Sequence, residues 1–319
     1  MDTVNKENYN ITLSTLERQM QPIMDYMTDP NVFEIYVNPD GRVWLDTFQK
    51  GRTPTDMYVD PAWTKQIIIS VAALTNQLLP EEMPILSAEL PDTEIFSSSR
   101  FQGNLPDVVP SPTMNIRKHP KRILSLEDYV KQGTLTEKQY NIIIEGIHKK
   151  KNIIAAGGTK SGKTTFLNAI LGEISKLDDR VIMIEDTPEL RCSADDYVSM
   201  RTTRHVTMSD CIKSVLRMTP DRIVIGEVRG EEALDLLTAW STGHSGGCST
   251  IHSNSAENTL TRLEGLIRRV SQDPQKSTIA EAVDYIVYLK YSGKKRYIES
   301  IVEVNGYDNV NDKYIINEL

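Results

Sequence analysis

One stretch decides the fold of this chain: Asn152-Ile153-Ile154-Ala155-Ala156-Gly157-Gly158-Thr159-Lys160-Ser161-Gly162-Lys163-Thr164-Thr165. Residues 157–164 match the phosphate-binding pattern G-x-x-x-x-G-K-[ST], with an apolar strand before them and a helix-forming run after them. The glycines let backbone N–H groups curl around phosphate oxygens, and the helix N-terminus adds positive potential. We therefore predict that Lys163 reaches the β- and γ-phosphates of a nucleotide and that the Thr164 hydroxyl ligates Mg²⁺. The alternative is a glycine-rich turn that binds nothing.

Around this stretch, the second half of the chain alternates apolar strands with helices. The predicted strands are Asn152–Ala156, Arg180–Glu185, Arg222–Gly226 and Cys248–His252, with further strands at the C-terminal end. The predicted helices are Glu137–Lys150, Lys163–Lys176, Met208–Arg217, Glu231–Thr242 and Ala256–Ser271. Such alternation predicts an α/β fold, a largely parallel sheet covered by helices.

The first 120 residues have a different character. They carry a net charge of −7, against −1 for residues 121–319. Helices are predicted at Leu13–Met27 and Pro61–Leu79, and strands at Val32–Val37, Arg42–Phe48, Glu94–Leu105 and Thr113–Lys118. We therefore predict a smaller N-terminal α+β domain at 1–119, a linker at 120–134 that begins in the segment 119–122, and the phosphate-binding domain at 135–319.

The composition excludes several classes of protein. The chain has 319 residues, 39% of them hydrophobic and 25% charged, as in soluble globular proteins. No apolar run approaches the roughly 18 residues of a membrane span, and no secretory signal is visible at the N-terminus. The three scattered cysteines fit a reducing cytosol. The net charge of −8 argues against direct nucleic-acid binding.

Acidic residues follow two of the apolar strands. Glu185 ends the first of these strands, and Glu227 comes directly after the second. Ligands of open α/β sheets gather at the carboxyl ends of the strands, so both acids could face the nucleotide. Glu227 could polarise the attacking water, and Glu185 could support Mg²⁺ or that water. The alternative for each acid is a solvated cap or a helix N-cap.

One histidine and two arginines complete the candidate set. His252 ends an apolar-leaning strand in the glycine-rich segment Thr242–His252, where it could donate to a γ-phosphate. Arg100 and Arg117 lie in an acidic domain poor in arginine, and a guanidinium fork suits phosphate. The alternatives are a histidine that satisfies local backbone groups and arginines in surface salt bridges.

These motifs together resemble the secretion traffic ATPases of the type II and type IV secretion superfamily. Four boxes occur in the family's order: Walker A at Gly157–Thr164, an acidic box at Ile184–Leu190, an atypical Walker B at Leu216–Gly230 and a histidine box at Thr242–His252. Within the superfamily the chain most resembles the TrbB-type conjugative-transfer ATPases of type IV secretion. The stretches that carry this likeness are 38–44, 88–91, 221–230 and 239–244.

The resemblance implies a RecA-like P-loop ATPase domain preceded by the α+β domain, with ATP and Mg²⁺ as cofactors. It implies a homohexameric ring at the cytoplasmic face of the inner membrane, working with type IV secretion inner-membrane components and coupling proteins. The implied catalytic residues are Glu227, Glu185, His252, Arg100 and Arg117, and the implied metal ligands are Thr164 and Glu185. The implied nucleotide-binding residues are Gly157, Gly158, Thr159, Lys160, Ser161, Gly162, Lys163, Thr164, Thr165 and Arg217, with Arg222 near the site.

Two positions depart from the family pattern, and several functions stay open. Lys160 occupies a position that relatives often fill with glycine, and Thr219 occupies a position where relatives usually have arginine.

The alternatives to a conjugative ATPase are a pilus-retraction or type II secretion ATPase, a low-turnover nucleotide-dependent assembly hub, and a nucleic-acid translocase. Peripheral membrane contact through the basic clusters 148–151 and 294–296 is a further hypothesis, against solvated helix ends or loops.

Overall fold

A computed structural model describes residues 3–47, 50–77, 79, 84–118, 123–203, 205–292 and 295–319, with side chains from residue 8 onward. The chain divides into two compact units, Met1–Arg122 and Ile123–Leu319. The predicted start of the linker at 119–122 and Lys294 of the second basic cluster lie outside the described residues. None of the helices in the described part of the chain combines the length and the apolarity that a membrane crossing needs.

The first unit is an antiparallel sheet with helices on its apolar face. Its helices are α1 (Thr3–Gln19), α2 (Met24–Thr28) and α3 (Pro61–Leu74), with a 3₁₀ turn at Gln21–Ile23. Its strands are β1 (Val32–Val37), β2 (Arg42–Thr47), β3 (Gly51–Tyr58), β4 (Ile85–Glu89), β5 (Arg100–Asn104) and β6 (Thr113–Arg117), in the order β3-β2-β1-β6-β5-β4. Leu16, Ile35, Ile67, Phe101 and Ile116 lie in its core. Their burial supplies the apolar contacts that hold the helices on the sheet.

Local residues explain where the first unit departs from prediction. The helix predicted through Leu13–Met27 is interrupted after Gln19, where Pro22 lies in the first turn of the 3₁₀ segment. The strand predicted at Glu94–Leu105 forms only at Arg100–Asn104, because Ser97 and Ser98 adopt left-handed backbone with φ of 46° and 53°. The edge strand β3 was not predicted, since none of its side chains is fully buried.

The second unit is an eight-stranded sheet with helices on both faces. Its strands are β7 (Ile153–Gly157), β8 (Val181–Glu185), β9 (Tyr197–Arg201), β10 (Arg222–Val228), β11 (Cys248–His252), β12 (Tyr285–Ser292), β13 (Lys295–Asp308) and β14 (Lys313–Glu318). Its helices are α4 (Leu126–Lys131), α5 (Glu137–His148), α6 (Lys163–Ile174), α7 (Met208–Val215), α8 (Glu232–Ser241), α9 (Ala256–Ile267) and α10 (Lys276–Ala282). The strand order is β14-β13-β12-β7-β11-β10-β8-β9.

The predicted parallel sheet is confirmed from β12 to β9, whereas β13 and β14 pair antiparallel at one edge. Ile154 and Ile184 contribute to the core on one face, and Ala155 and Met183 to the core on the other. Strands β7 and β8 are thus apolar on both sides, as expected when helices cover both faces of a sheet.

Part of the predicted linker is folded. Residues 126–131 form α4, which begins with a capping box between Ser125 and Asp128. Leu126 and Tyr129 on this helix are buried in the core of the second unit. The linker prediction was therefore wrong for these residues, because a six-residue helix is too short to show a clear apolar period.

A buried arginine bonds to three neighbouring segments at the edge of the sheet where the parallel strands begin. Arg222, the first residue of β10, is 1% exposed. Its Nε lies 2.7 Å from Oδ2 of Asp179, and its Nη1 and Nη2 donate to the carbonyls of Gly246 (3.1 Å) and Ile147 (3.0 Å). The guanidinium thus joins the starts of β10 and β8, the end of α5 and the glycine turn before β11.

Loss of this guanidinium should destabilise the second unit. We expect Arg222→Ala to lower the free energy of unfolding by about 3 kcal/mol, because Asp179 would keep only Lys150 as a basic partner and the carbonyls of Gly246 and Ile147 would lose their buried donor. Urea denaturation followed through Trp240, in a Trp44→Phe/Trp63→Phe background, would report on this unit alone. The control is Arg217→Ala, since Arg217 is exposed and donates only locally, to the Lys213 carbonyl. Equal effects of the two substitutions would contradict the assignment.

Candidate functional site

The glycine-rich loop joins β7 to α6, as its strand–loop–helix context predicted. Gly157 must be glycine, because a Cβ there would lie 2.4 Å from the carbonyl oxygen of Leu289 on β12. Gly162 has a φ of +94° and Lys160 a φ of +64°, so the loop folds back on itself before the helix begins. Ser161 is buried at the base of the loop. The result is a concave run of backbone at a helix N-terminus, the geometry that accepts phosphate.

Lys163 is buried in this concave loop. It is 7% exposed, and its Nζ donates to the carbonyl oxygens of Gly157 and Gly158, both at 3.0 Å. A buried ammonium needs such acceptors, since desolvation without partners is costly. The lysine is therefore positioned at the first glycines of the loop, where its charge can meet an anion.

Strand register brings His252 to the same place. In the parallel pairing of β11 with β7, His252 is the partner of Gly157. Its Nδ1 lies 3.4 Å from Nζ of Lys163, and its Nε2 lies 3.2 Å from Oε1 of Glu227 near the end of β10. The structure thus brings together three of the residues that the sequence selected, from three different segments.

Two further charged residues lie near this cluster: Arg229, which was not selected from the sequence, and Asp186, the second carboxylate at the end of β8. Nη2 of Arg229 donates to Oε2 of Glu227 at 2.6 Å, and its Nη1 lies 3.5 Å from Oδ2 of Asp186. One signal could have indicated Arg229: it comes two residues after Glu227, and alternate residues of an extended segment share a face. Asp186 also accepts from the Thr202 hydroxyl at 3.0 Å, so this ion pair is anchored on both sides.

These neighbours set the protonation states of Glu227 and His252. Burial opposes the charged form of Glu227, but the hydrogen bond and charge of Arg229 lower its pKa below the usual value. Burial also lowers the pKa of His252, and the positive charge of Lys163 lowers it further. At neutral pH the site therefore combines a carboxylate with a neutral imidazole, which suits a proton acceptor beside a hydrogen-bonding group.

Glu185 has a local structural role at the end of β8. It is 3% exposed, and its Oε1 accepts the backbone N–H groups of Glu189 and Leu190, each at 2.9 Å. Its Cγ would lie 3.1 Å from a Cβ on Gly226, so the neighbouring strand leaves it little room. These contacts shape the loop that follows Asp186, and a role of Glu185 toward Mg²⁺ or water stays a prediction.

The chain by itself does not build a metal cage in the part that the structure describes. Among those residues, no group of three or more His, Cys, Asp or Glu side chains could hold a metal ion. Thr164 lies in the first turn of α6, next to Lys163. Because Mg²⁺ is commonly bound by one or two protein oxygens together with substrate phosphates, the residues fit an ion that arrives with a nucleotide.

Two predicted arginines of the second unit lie away from this cluster. Arg217 follows α7 and precedes β10, so it lies at the edge where the parallel strands begin, opposite the phosphate loop. Arg222, predicted near the site, belongs instead to the buried network at that same edge of this unit. Arg100 and Arg117 are register partners on β5 and β6 of the first unit. In the loop itself, Gly158, Thr159 and Lys160 are exposed, while Thr165 is half-buried in α6.

Comparisons with known proteins find similarity over most of the chain. A family model described as "Type II/IV secretion system protein" matches residues 16–291. The conjugal transfer protein TrbB of Rhizobium radiobacter is 42% identical over 89% of this chain and 87% of its own length. The type IV secretion system protein VirB11 of Bartonella henselae is 28% identical over 91% of this chain and 92% of its own. The Legionella pneumophila ATPase DotB shares the fold, with a TM-score of 0.64 at 19% identity over 91% of this chain and 81% of that one.

The charge of Lys163 should be measurable at His252. We expect Lys163→Met to raise the pKa of His252, because removal of a neighbouring positive charge favours the imidazolium. Two-dimensional NMR of the imidazole resonances would follow the titration, with His252→Gln identifying the signal. Lys176→Met serves as the control, since Lys176 pairs with Glu173 on the exposed side of α6. An unchanged or lower pKa in Lys163→Met would contradict the geometry.

Proposed function

The chain belongs to the type II/IV secretion system protein family, and from that premise we propose that it hydrolyses ATP in a conjugative type IV secretion system. The observation that carries the proposal is the convergence of Lys163, Glu227 and His252 on one phosphate-binding loop. The likeness to a conjugal transfer protein over most of both chains supports conjugation over pilus retraction or type II secretion.

In this proposal the second unit is a RecA-like P-loop domain, and its loop binds the phosphates of ATP. The backbone N–H groups of 157–164 and the ammonium of Lys163 bind the phosphate oxygens, with Thr165 behind them in the first turn of α6. Thr164, helped by Glu185, would hold Mg²⁺. The ion neutralises charge on the phosphate oxygens when it is bound.

Glu227 is the proposed general base. A water attacks the γ-phosphorus and gives up a proton to the Glu227 carboxylate, while the bond to the β,γ-bridging oxygen breaks and ADP leaves. The lowered pKa of Glu227 keeps the carboxylate charged and ready to accept that proton at neutral pH. His252, neutral beside it, would hydrogen-bond the γ-phosphate and so report its presence or loss.

The proposal extends to assembly. Six copies form a ring at the cytoplasmic face of the inner membrane, and the ring works with the inner-membrane components and coupling proteins of the secretion system. In this ring, Arg100 and Arg117 donate to the nucleotide phosphates, as the bidentate geometry of guanidinium favours. ATP turnover would then drive assembly of the secretion machine or substrate transfer through it.

Removal of the base should abolish turnover and leave binding intact. We expect Glu227→Gln to lower kcat by about 10²- to 10⁴-fold, the range for loss of a general base. Affinity for Mg·ATP should change little, because the phosphate loop is untouched. Phosphate release and calorimetric titration of nucleotide would measure the two quantities. Glu231→Gln, an exposed acid four residues along, is the matched control.

A wild-type protein that binds ATP but releases phosphate no faster than Glu227→Gln would be a nucleotide-dependent hub. The same experiment with added single-stranded DNA tests the translocase alternative, because a salt-sensitive, many-fold stimulation would favour it.

Arg100 and Arg117 should contribute to catalysis in the assembled ring and not to assembly itself. We expect the specific ATPase activity to rise with protein concentration, and the mass measured by light scattering to shift toward about six times that of one chain. The activity should depend on assembly because one arginine in a composite site contributes about 10³-fold or more to kcat. Arg100→Ala should lose the activity and keep the mass shift. Arg52→Ala, an arginine on β3 of the same sheet, should keep both. Turnover by a monomer that is indifferent to Arg100 would exclude this mechanism.

A further inference from the structure

A hairpin from the far end of the chain reaches the phosphate loop. Strand β12 pairs with β7 in parallel, and the last pair of that register is Leu289 with Gly157. The chain then returns as β13, which begins at Lys295. The β12–β13 hairpin therefore leaves the sheet at the carboxyl end of β7, where the loop also starts.

Arg296 on this hairpin contacts the loop at two residues. Its Nε donates to the carbonyl oxygen of Lys160 at 3.0 Å. Its Cδ packs under Gly162, because a Cβ added to Gly162 would lie 3.3 Å from it. The guanidinium also lies over the Tyr291 ring, whose centroid is 5.2 Å from Cζ. The side chain is thus held by the hairpin and bonded to the loop.

Lys160, the loop residue that accepts this hydrogen bond, has an unfavourable backbone conformation. Lys160 adopts a left-handed φ of +64°, a conformation that glycine adopts readily and that a side chain with a Cβ disfavours. A fixed Lys160 carbonyl also fixes the direction of the next peptide group, since the C=O and N–H of a trans peptide point in opposite directions. That N–H belongs to Ser161, and it donates to the carbonyl oxygen of Gly158 across the loop, with an N···O distance of 3.4 Å.

We infer that Arg296 is a positioning residue for the phosphate loop, which it holds in its nucleotide-accepting shape through the carbonyl of Lys160. The lysine at this position makes the arginine necessary, because a glycine would adopt the same backbone unaided. The inference rests on the proposed function, namely that the loop binds the phosphates of a nucleotide. It adds a requirement that the loop sequence alone does not contain.

The test uses Arg296→Met, which keeps the aliphatic stem over Gly162 and removes the donor. We expect the Kd for Mg·ADP, measured by calorimetric titration of the full chain, to rise about tenfold, the equivalent of one charge-assisted hydrogen bond. Lys290→Met is the matched control, since Lys290 on the same hairpin pairs with Glu299 instead. The Kd of this control should stay within about twofold of wild type. If Arg296→Met does not fold, Arg296→Leu, which also removes the donor, replaces it.

The second arm places the same Arg296 variant in a Lys160→Gly background. If Arg296 acts by holding the left-handed backbone of Lys160, its loss should there raise the Kd by about twofold or less, because glycine relieves the constraint. If loss of Arg296 raised the Kd for Mg·ADP about tenfold in both backgrounds, the inference would be overturned, since Arg296 would then contact the nucleotide directly. Equal Kd values for wild type and Arg296→Met would overturn it as well. A wild-type protein that binds no Mg·ADP would instead refute the proposed function.

Discussion

The close packing of backbone at Gly157 is the constraint on which the rest of the site depends. Gly157 is flanked in the sheet by Leu289 on one side and His252 on the other. A Cβ would collide with the Leu289 carbonyl, so only glycine allows β12 to approach the start of the loop this closely. The β12–β13 hairpin then brings Arg296 to Lys160, while the register of β11 with β7 brings His252 to Lys163.

The charges of the site are balanced around a single carboxylate. Glu227 lies between Arg229 and His252, and Lys163 is within reach of the same imidazole. Because the positive charges keep Glu227 ionised and His252 neutral, the proton-accepting form of the pair prevails at neutral pH. The carboxylate is also engaged by Arg229, so in the proposed mechanism this ion pair has to open before Glu227 can accept a proton.

Much of the fold was predictable because its signals are local. The parallel sheet followed from apolar strands alternating with helices, and α3 begins at Pro61 as predicted, although it ends at Leu74 and not at Leu79. The short helix α4 and the edge strand β3 were missed, since a short helix and a strand with no fully buried side chain leave no readable periodicity. The interruption of the first predicted helix near Pro22 was also missed. The apolar residues keep helical spacing on both sides of this proline, so the pattern alone predicted one continuous helix.

The sequence by itself determined the phosphate loop, and it placed Glu185, Glu227 and His252 at strand ends. Both follow from motif spacing and from the rule that parallel strands share one carboxyl edge. Only the tertiary structure decided that Arg229 pairs with Glu227, that Arg222 lies in a buried network at the opposite edge, and that Arg296 reaches Lys160. Such contacts depend on strand order and register between segments far apart in the chain, which hydrophobic periodicity does not encode.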